Sequence, residues 1–147
     1  MKWDVINADK CIFSQGTAST NNGLHLITRS SGVTGNQPRY VFAMFNNDEI
    51  TTTLATTSSY VFLTYTYNSS TYAKSIWINT TETSPYASTE NQYLATNSNA
   101  EIARVGWSGT NVNYFDGQLS QIYMYNRILT SDEITQNYNA GKGRYGL

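Results

Sequence analysis

From residue 10 to about residue 126 the chain is a series of short apolar or alternating runs, each closed by turn-forming residues. Residues 11–14, Cys-Ile-Phe-Ser, are apolar and stop at Gln15-Gly16. After a polar loop, residues 23–29 alternate, with Leu24 and Leu26 on one face and His25 and Ile27 on the other. These two runs read as a hairpin. Residues 30–38 are a loop by their Gly, Ser, Asn and Pro content. The sequence RYVFAMF (39–45) is a strand, ended by Asn46-Asn47-Asp48, and 49–54 form a weaker, threonine-rich one. YVFLTYTY (60–67) begins apolar on both faces, which predicts a central strand of a sandwich. A turn at Asn68-Ser69-Ser70 leads into AKSIWIN (73–79), where Ile76 and Ile78 share a face and Trp77 takes the other. Residues 80–99, with Pro85, read mostly as loop; IARVGW (102–107) is a strand and 108–114 a loop.

The pattern changes after residue 115. Asp116-Gly117 is a turn dipeptide, because Gly tolerates positive φ and Asp bonds its own backbone. Residues 118–126 read as a strand, with Ile122 and Met124 on one face and Tyr123 and Tyr125 on the other. Leu119 falls on the tyrosine side in strict alternation, so a bulge near Ser120 and Gln121 is expected. Thr130-Ser131-Asp132-Glu133 is a capping box, and Leu129 and Ile134 occupy the positions of a hydrophobic staple. Asp132 and Glu133 put negative charge in the first helical turn. With Gly141 as the expected stop, a short helix of about two turns runs over roughly 131–139. Many short strands and one late helix read as an all-β, antiparallel β-sandwich with a short C-terminal helix, in a single domain over 1–140. Residues 141–147 read as a flexible, basic tail.

Composition narrows the function. The chain has 147 residues, enough for one sizeable core, and a net charge of −1, which gives no electrostatic footprint for nucleic acid or an anionic membrane. No apolar run is long enough to span a bilayer, and no signal peptide is apparent at Met1. Cys11 is the one cysteine, so no internal disulfide forms, and His25, alone of its kind, reads as an ordinary strand residue. Charged residues are 13% and aromatics 14%, with 12 tyrosines, a profile that suits sheets with polar loops.

The run FDGQLSQIYMYNRILTSDEI resembles the closing segment of laminin-G-like, concanavalin A-like jelly rolls: a DG turn, a strand ending Tyr-Asn-Arg, a Leu-Ser/Thr and a Glu-Ile helix. Asp116, Gly117, Tyr125, Asn126, Arg127, Leu129, Thr130, Glu133 and Ile134 carry the match. FLTYTYNSSTYAKSIWIN is similar to the family's central hairpin and IARVGW to a later strand. Ser120 and Asn79-Thr80 depart from the family's usual Asp and Asn-Gly. The family usually carries further strands upstream of the position of Met1, so a small version, a fragment, or a sheet completed by another chain is implied. The final QNYNAGKGRYGL resembles the ends of jelly-roll domains on tailed-bacteriophage structural proteins. The resemblance implies a lectin-like adhesion or decoration module on a virion, binding glycan or cell-surface polysaccharide, and joined to other virion or sister subunits as an oligomer. The alternatives are a purely structural capsid or filament subunit and a secreted, extracellular adhesin.

Some relatives of that fold are glycosidases. Retaining ones place two carboxylates about 5–5.5 Å apart, in a Glu-x-Asp-x-Glu strand pattern that is missing here, so no enzyme and no catalytic residue is expected. Calcium binding at Asp116 is an alternative to a cofactor-free protein, although a calcium site draws on about six to eight oxygens. Glu133 is the helix cap, with Arg127 as its expected ion-pair partner. Sugar binding needs aromatic faces beside amides and hydroxyls; Trp107, Asn111, Asn113 and Tyr114 meet that description around one loop, with Tyr86 and Tyr93 as weaker candidates.

Overall fold

The computed structural model describes residues 1–4, 9–20, 22–29, 38–54, 58–86, 99–105 and 113–147. The hairpin is present: β2 (Lys10–Gln15) pairs antiparallel with β3 (Leu24–Arg29), with a bulge between Cys11 and Phe13. β3 pairs with β4 (Arg39–Met44), and β4 with β5 (Asn47–Leu54), which takes in Asn47 and Asp48, expected to close the preceding strand. β9 (Ala100–Ile102) adds to the other side of β2, which gives a five-stranded sheet in the order β5-β4-β3-β2-β9. A three-stranded sheet holds β6 (Leu63–Tyr67), β7 (Lys74–Ile78) and β8 (Thr81–Tyr86) in sequence order. β1 (Lys2–Trp3) and β10 (Gly117–Gln118) form a separate antiparallel pair. The helix α1 (Ser131–Tyr145) follows.

Alternation along these strands builds two cores. Trp3, Ile12, Tyr40, Phe42, Met44 and Ile76 are buried together between the sheets, with Leu24, Leu26, Leu63, Tyr65, Tyr67, Phe115 and Leu119 packed around them. Cys11, Ile27, Val41, Ala43 and Val105 form a second cluster. Successive residues of β2, β3 and β4 therefore feed different clusters, so the five-stranded sheet is covered on both faces. Trp3 is fully buried, its ring centroid 4.2 Å from that of Phe115. This aromatic contact fixes β1 and β10 against the main core.

Five further sequence expectations need correction. The strand expected over 118–126 is limited to Gly117–Gln118: residues 119–125 continue without helix, turn or bend, but no strand pairs with them among the described residues. Composition can favour an extended backbone, but a strand also needs a neighbour to complete its hydrogen bonds. β6 lies at the edge of its sheet rather than at the centre. The stretch 80–99 contains β8, with Pro85 inside it; β8 is an edge strand, where the missing N–H of proline costs no ladder bond. Of the strand expected over 102–107, only Ile102 is in one, at the end of β9; residues 103–105 are not strand, and 106–107 lie outside the described residues. Finally, residues 141–145 are not a tail: α1 passes through Gly141 and Gly143 and ends at Gly146 in the left-handed conformation, φ 66°, with a Leu147 N–H to Lys142 O bond of 3.0 Å. Tyr145 packs on Tyr60 (5.5 Å) and Tyr138 on Phe62 (6.1 Å), and these ring contacts carry the helix past the glycine expected to stop it.

Candidate functional site

Residues 103–105 and 113–118 frame the loop that the sequence marks for sugar binding. Asn113 is half-buried and its carbonyl accepts from Cys11 N at 3.1 Å. Two residues on, Phe115 N donates to Ala103 O at 2.8 Å, and Ala103 N donates to Ile12 O at 2.9 Å. Between these bonds Tyr114 points outward, 58% exposed. An exposed phenol ring beside an amide side chain has the elements of saccharide recognition: an apolar face for C–H contacts and a donor and acceptor pair for hydroxyls. Of the four candidates, Asn113 and Tyr114 are consecutive in the chain, the first half-buried and the second exposed; Trp107 and Asn111 lie outside the described residues. Tyr86 is in β8, its side chain outside the description, and Tyr93 is outside the described residues altogether.

The start of α1 is a capping box. Glu133 N donates to Thr130 Oγ1 at 3.3 Å and Thr130 N to Glu133 Oε2 at 2.9 Å, closing the capping box. Arg127 adds a bidentate pair to the same carboxylate, at 2.7 and 2.8 Å. The Arg127 bond, with the Thr130 amide behind it, brings the Glu133 pKa down to about 2. Leu129 and Ile134, the staple positions, are both buried. Asp116 Oδ2 is 3.7 Å from Lys10 Nζ. Gly117 has a φ of +153°, and a Cβ there would overlap the Lys2 carbonyl oxygen across the β1–β10 pair. Gly117 thus lies in β10 and not in the turn expected at Asp116-Gly117, and glycine is required there for close approach as well as for conformation.

Two other carboxylates face cations: Glu101 pairs with Arg104 at 2.6 Å and Asp9 lies 3.8 Å from Arg29. Among the described residues no group of three or more His, Cys, Asp or Glu is placed to hold a metal. His25 is buried in β3 with Nδ1 3.1 Å from Gly23 O, and burial brings its pKa down to about 4. Cys11 is fully buried and burial pushes its thiol up to about 12. Both are core residues with suppressed ionisation, not reactive groups.

Sequence reasoning did not find a second concave surface, a cleft of about 180 Å³ between α1 and residues 60–62. Tyr60, Phe62, Gln121, Tyr123, Asn137 and Tyr145 line it. Across it, Asn137 Nδ2 donates to Tyr125 Oη at 3.2 Å, and Tyr60 bonds Gln118 Oε1. The missed signal was the continuation of α1 past Gly141, which carries Tyr145 to Tyr60.

The family model of the concanavalin A-like lectin/glucanases superfamily, of laminin-G type, matches residues 1–135, covering both sheets and the capped start of α1. The chain belongs to this superfamily. A search of curated proteins gives no match. Among solved structures, the concanavalin A-like chain is similar to an S-layer domain-containing protein of Clostridium thermocellum (residues 221–444), at 15% identity and a TM-score of 0.46. The match covers 94% of this chain and 66% of that one, so the chain spans just under two thirds of the length of that structure. No described helix of this superfamily member is long and apolar enough to cross a membrane.

Proposed function

We propose that this concanavalin A-like domain is a non-catalytic, lectin-like adhesion module that binds glycan through the loop ending at Asn113 and Tyr114. The exposed Tyr114 ring beside the half-buried Asn113 supports the reading most directly. Trp107 and Asn111, on the same loop, would complete the stacking face and its hydrogen-bonding partners. The superfamily includes glucanases as well as lectins, and the engagement of Glu133, Glu101, Asp9 and Asp116 with cations favours binding over hydrolysis. We place the module on the outside of a particle or cell, as a virion decoration or tail-associated protein, with sister subunits beside it and with neither nucleic acid nor membrane as a partner. The resemblance of the C-terminal segment to phage jelly-roll domains supports the virion. Binding would need no cofactor; calcium at Asp116 is the alternative, and loss of sugar binding on chelation would favour it.

A glycan array with wild type, Trp107→Ala and Tyr114→Ala tests the reading. We expect binding to at least one glycan class, weakened about tenfold or more by either substitution, which corresponds to about 1.4 kcal/mol or more. Wild type that binds no sugar would overturn it in favour of a purely structural subunit.

A further inference from the structure

The charges tied to the Tyr114 surface by chain and hydrogen bond balance one another. Lys10 follows the chain into Cys11, whose N–H holds the Asn113 carbonyl, and its Nζ is 3.7 Å from Asp116 Oδ2. Arg104 follows Ala103, whose carbonyl accepts from Phe115 N, and its Nε is 2.6 Å from Glu101 Oε2. Along the β1–β10 pair come Asp4, whose N–H donates to Asp116 O at 2.9 Å, and Lys2, opposite Gln118. Three cations, Lys2, Lys10 and Arg104, thus stand against three carboxylates, Asp4, Glu101 and Asp116. Between Arg104 and Asp116 the sequence, VGWSGTNVNYF, holds no charged residue. The residues outside the description bring no further cation, since the one charged residue among them is Glu90.

A carboxylate or sulfate gives up hydration when it meets a protein surface, and an unengaged cation is what offsets that loss. Here such a group would have to take Arg104 or Lys10 from its present partner. Glu101, its side chain 24% exposed, would then be left largely buried without a cation. Sugar hydroxyls make no such demand. Each of them both donates and accepts; the Asn113 amide and the Tyr114 hydroxyl do the same, and the phenol ring offers an apolar face to C–H groups.

We propose that the glycan taken at Asn113 and Tyr114 is neutral, built of hydroxyl-bearing sugars without carboxylate, sulfate or free amine, and that the Glu101–Arg104 and Lys10–Asp116 pairs exclude acidic polysaccharides. The inference rests on the glycan reading above and narrows it to a ligand class. Arg104 is the discriminating residue. Its side chain is 46% exposed, and without Glu101 its guanidinium would present a planar fork to any carboxylate that came near. With Glu101 in place that fork is occupied. Amino sugars are disfavoured by the same balance, because Asp116 and Glu101 already face cations.

The test is an array of glycans sorted by charge, probed with the full chain and with Tyr114→Ala, which marks the signals that pass through this surface. Those signals should fall among neutral glycans. Their strength should change by less than about threefold between about 0.05 M and about 0.5 M salt, since no ion is exchanged for the ligand. Glu101→Gln should raise binding of a hexuronate polysaccharide relative to a neutral one by at least about threefold. Tyr114-dependent binding of wild type to uronate, sialate, sulfated or amino-sugar glycans overturns the proposal and leaves the glycan reading standing, and so does a stronger dependence on salt. A smaller rise in Glu101→Gln overturns the role given to the ion pair. The absence of any glycan signal, or signals that Tyr114→Ala does not weaken, removes the site itself and this proposal with it. If Glu101→Gln does not fold, the sorted array and the salt series decide.

Discussion

At the scale of single residues, the clearest constraint is Gly117. Its φ of +153° and the Lys2 carbonyl facing it leave no room for a side chain. Gly117→Ala should destabilise the protein by roughly 1–3 kcal/mol, through overpacking in addition to backbone strain. Chemical denaturation checks this, and a shift under about 0.5 kcal/mol would mean that β1 can move aside at little cost. The sequence read Asp116-Gly117 as a turn, whereas Gly117 is a strand residue of β10, and it did not show why glycine was needed. The reason is a strand more than a hundred positions earlier in the chain, and local pattern carries no information about that approach. Arg127 and Glu133 were readable because their partnership is local, set by a spacing of six residues around a helix start.

At the scale of elements, α1 shows which signals prevail. Its start was legible in the capping box; its end was not, because Gly141 acts as a stop only when nothing holds the next turn. Here Tyr138 and Tyr145 reach Phe62 and Tyr60, and Lys142 and Arg144 place positive charge at the negative end of the helix dipole. Two substitutions should therefore act in opposite directions. Thr130→Ala removes the cap and should cost about 1 kcal/mol. Gly143→Ala, where a Cβ meets nothing within 4 Å, should stabilise by about 0.5–1 kcal/mol. Urea midpoints of the two variants against wild type read both signs; a destabilising Gly143→Ala would mean that the last turns are not helical in solution. The strands show the same division. β2, β3 and β4 were legible because each pairs in sequence order, whereas residues 119–125 read as a strand by composition and have no ladder partner among the described residues.

At the scale of the molecule, stability should depend on pH through His25. The folded pKa lies near 4, below the ordinary 6.5, because burial disfavours the imidazolium. The unfolded chain then binds the proton more readily. The contribution is therefore complete above pH 6.5 and declines as pH falls towards 4, by at most about 3 kcal/mol. Denaturation at about pH 7.5 and about pH 5 should show the loss in wild type and a flatter dependence in His25→Leu; equal slopes would assign the effect to other groups. The global architecture, two sheets with cores on both faces of the larger one, follows from alternation in the first half of the chain. The candidate site was less legible. Aromatic and amide residues clustered in one loop identify a suitable chemistry, but their relative placement depends on tertiary anchors such as the Cys11–Asn113 bond.

Those anchors have a further consequence. Val105 is buried in the second core on one side of residues 106–112, and on the other side Asn113 and Phe115 are bonded to Cys11 and Ala103. The chain is thus held to the core on each side of that stretch, through Val105 before it and through Asn113 and Phe115 after it. Under the proposed glycan reading, substitutions confined to residues 106–112 should change sugar preference while leaving the Cys11–Asn113 and Ala103–Phe115 bonds in place.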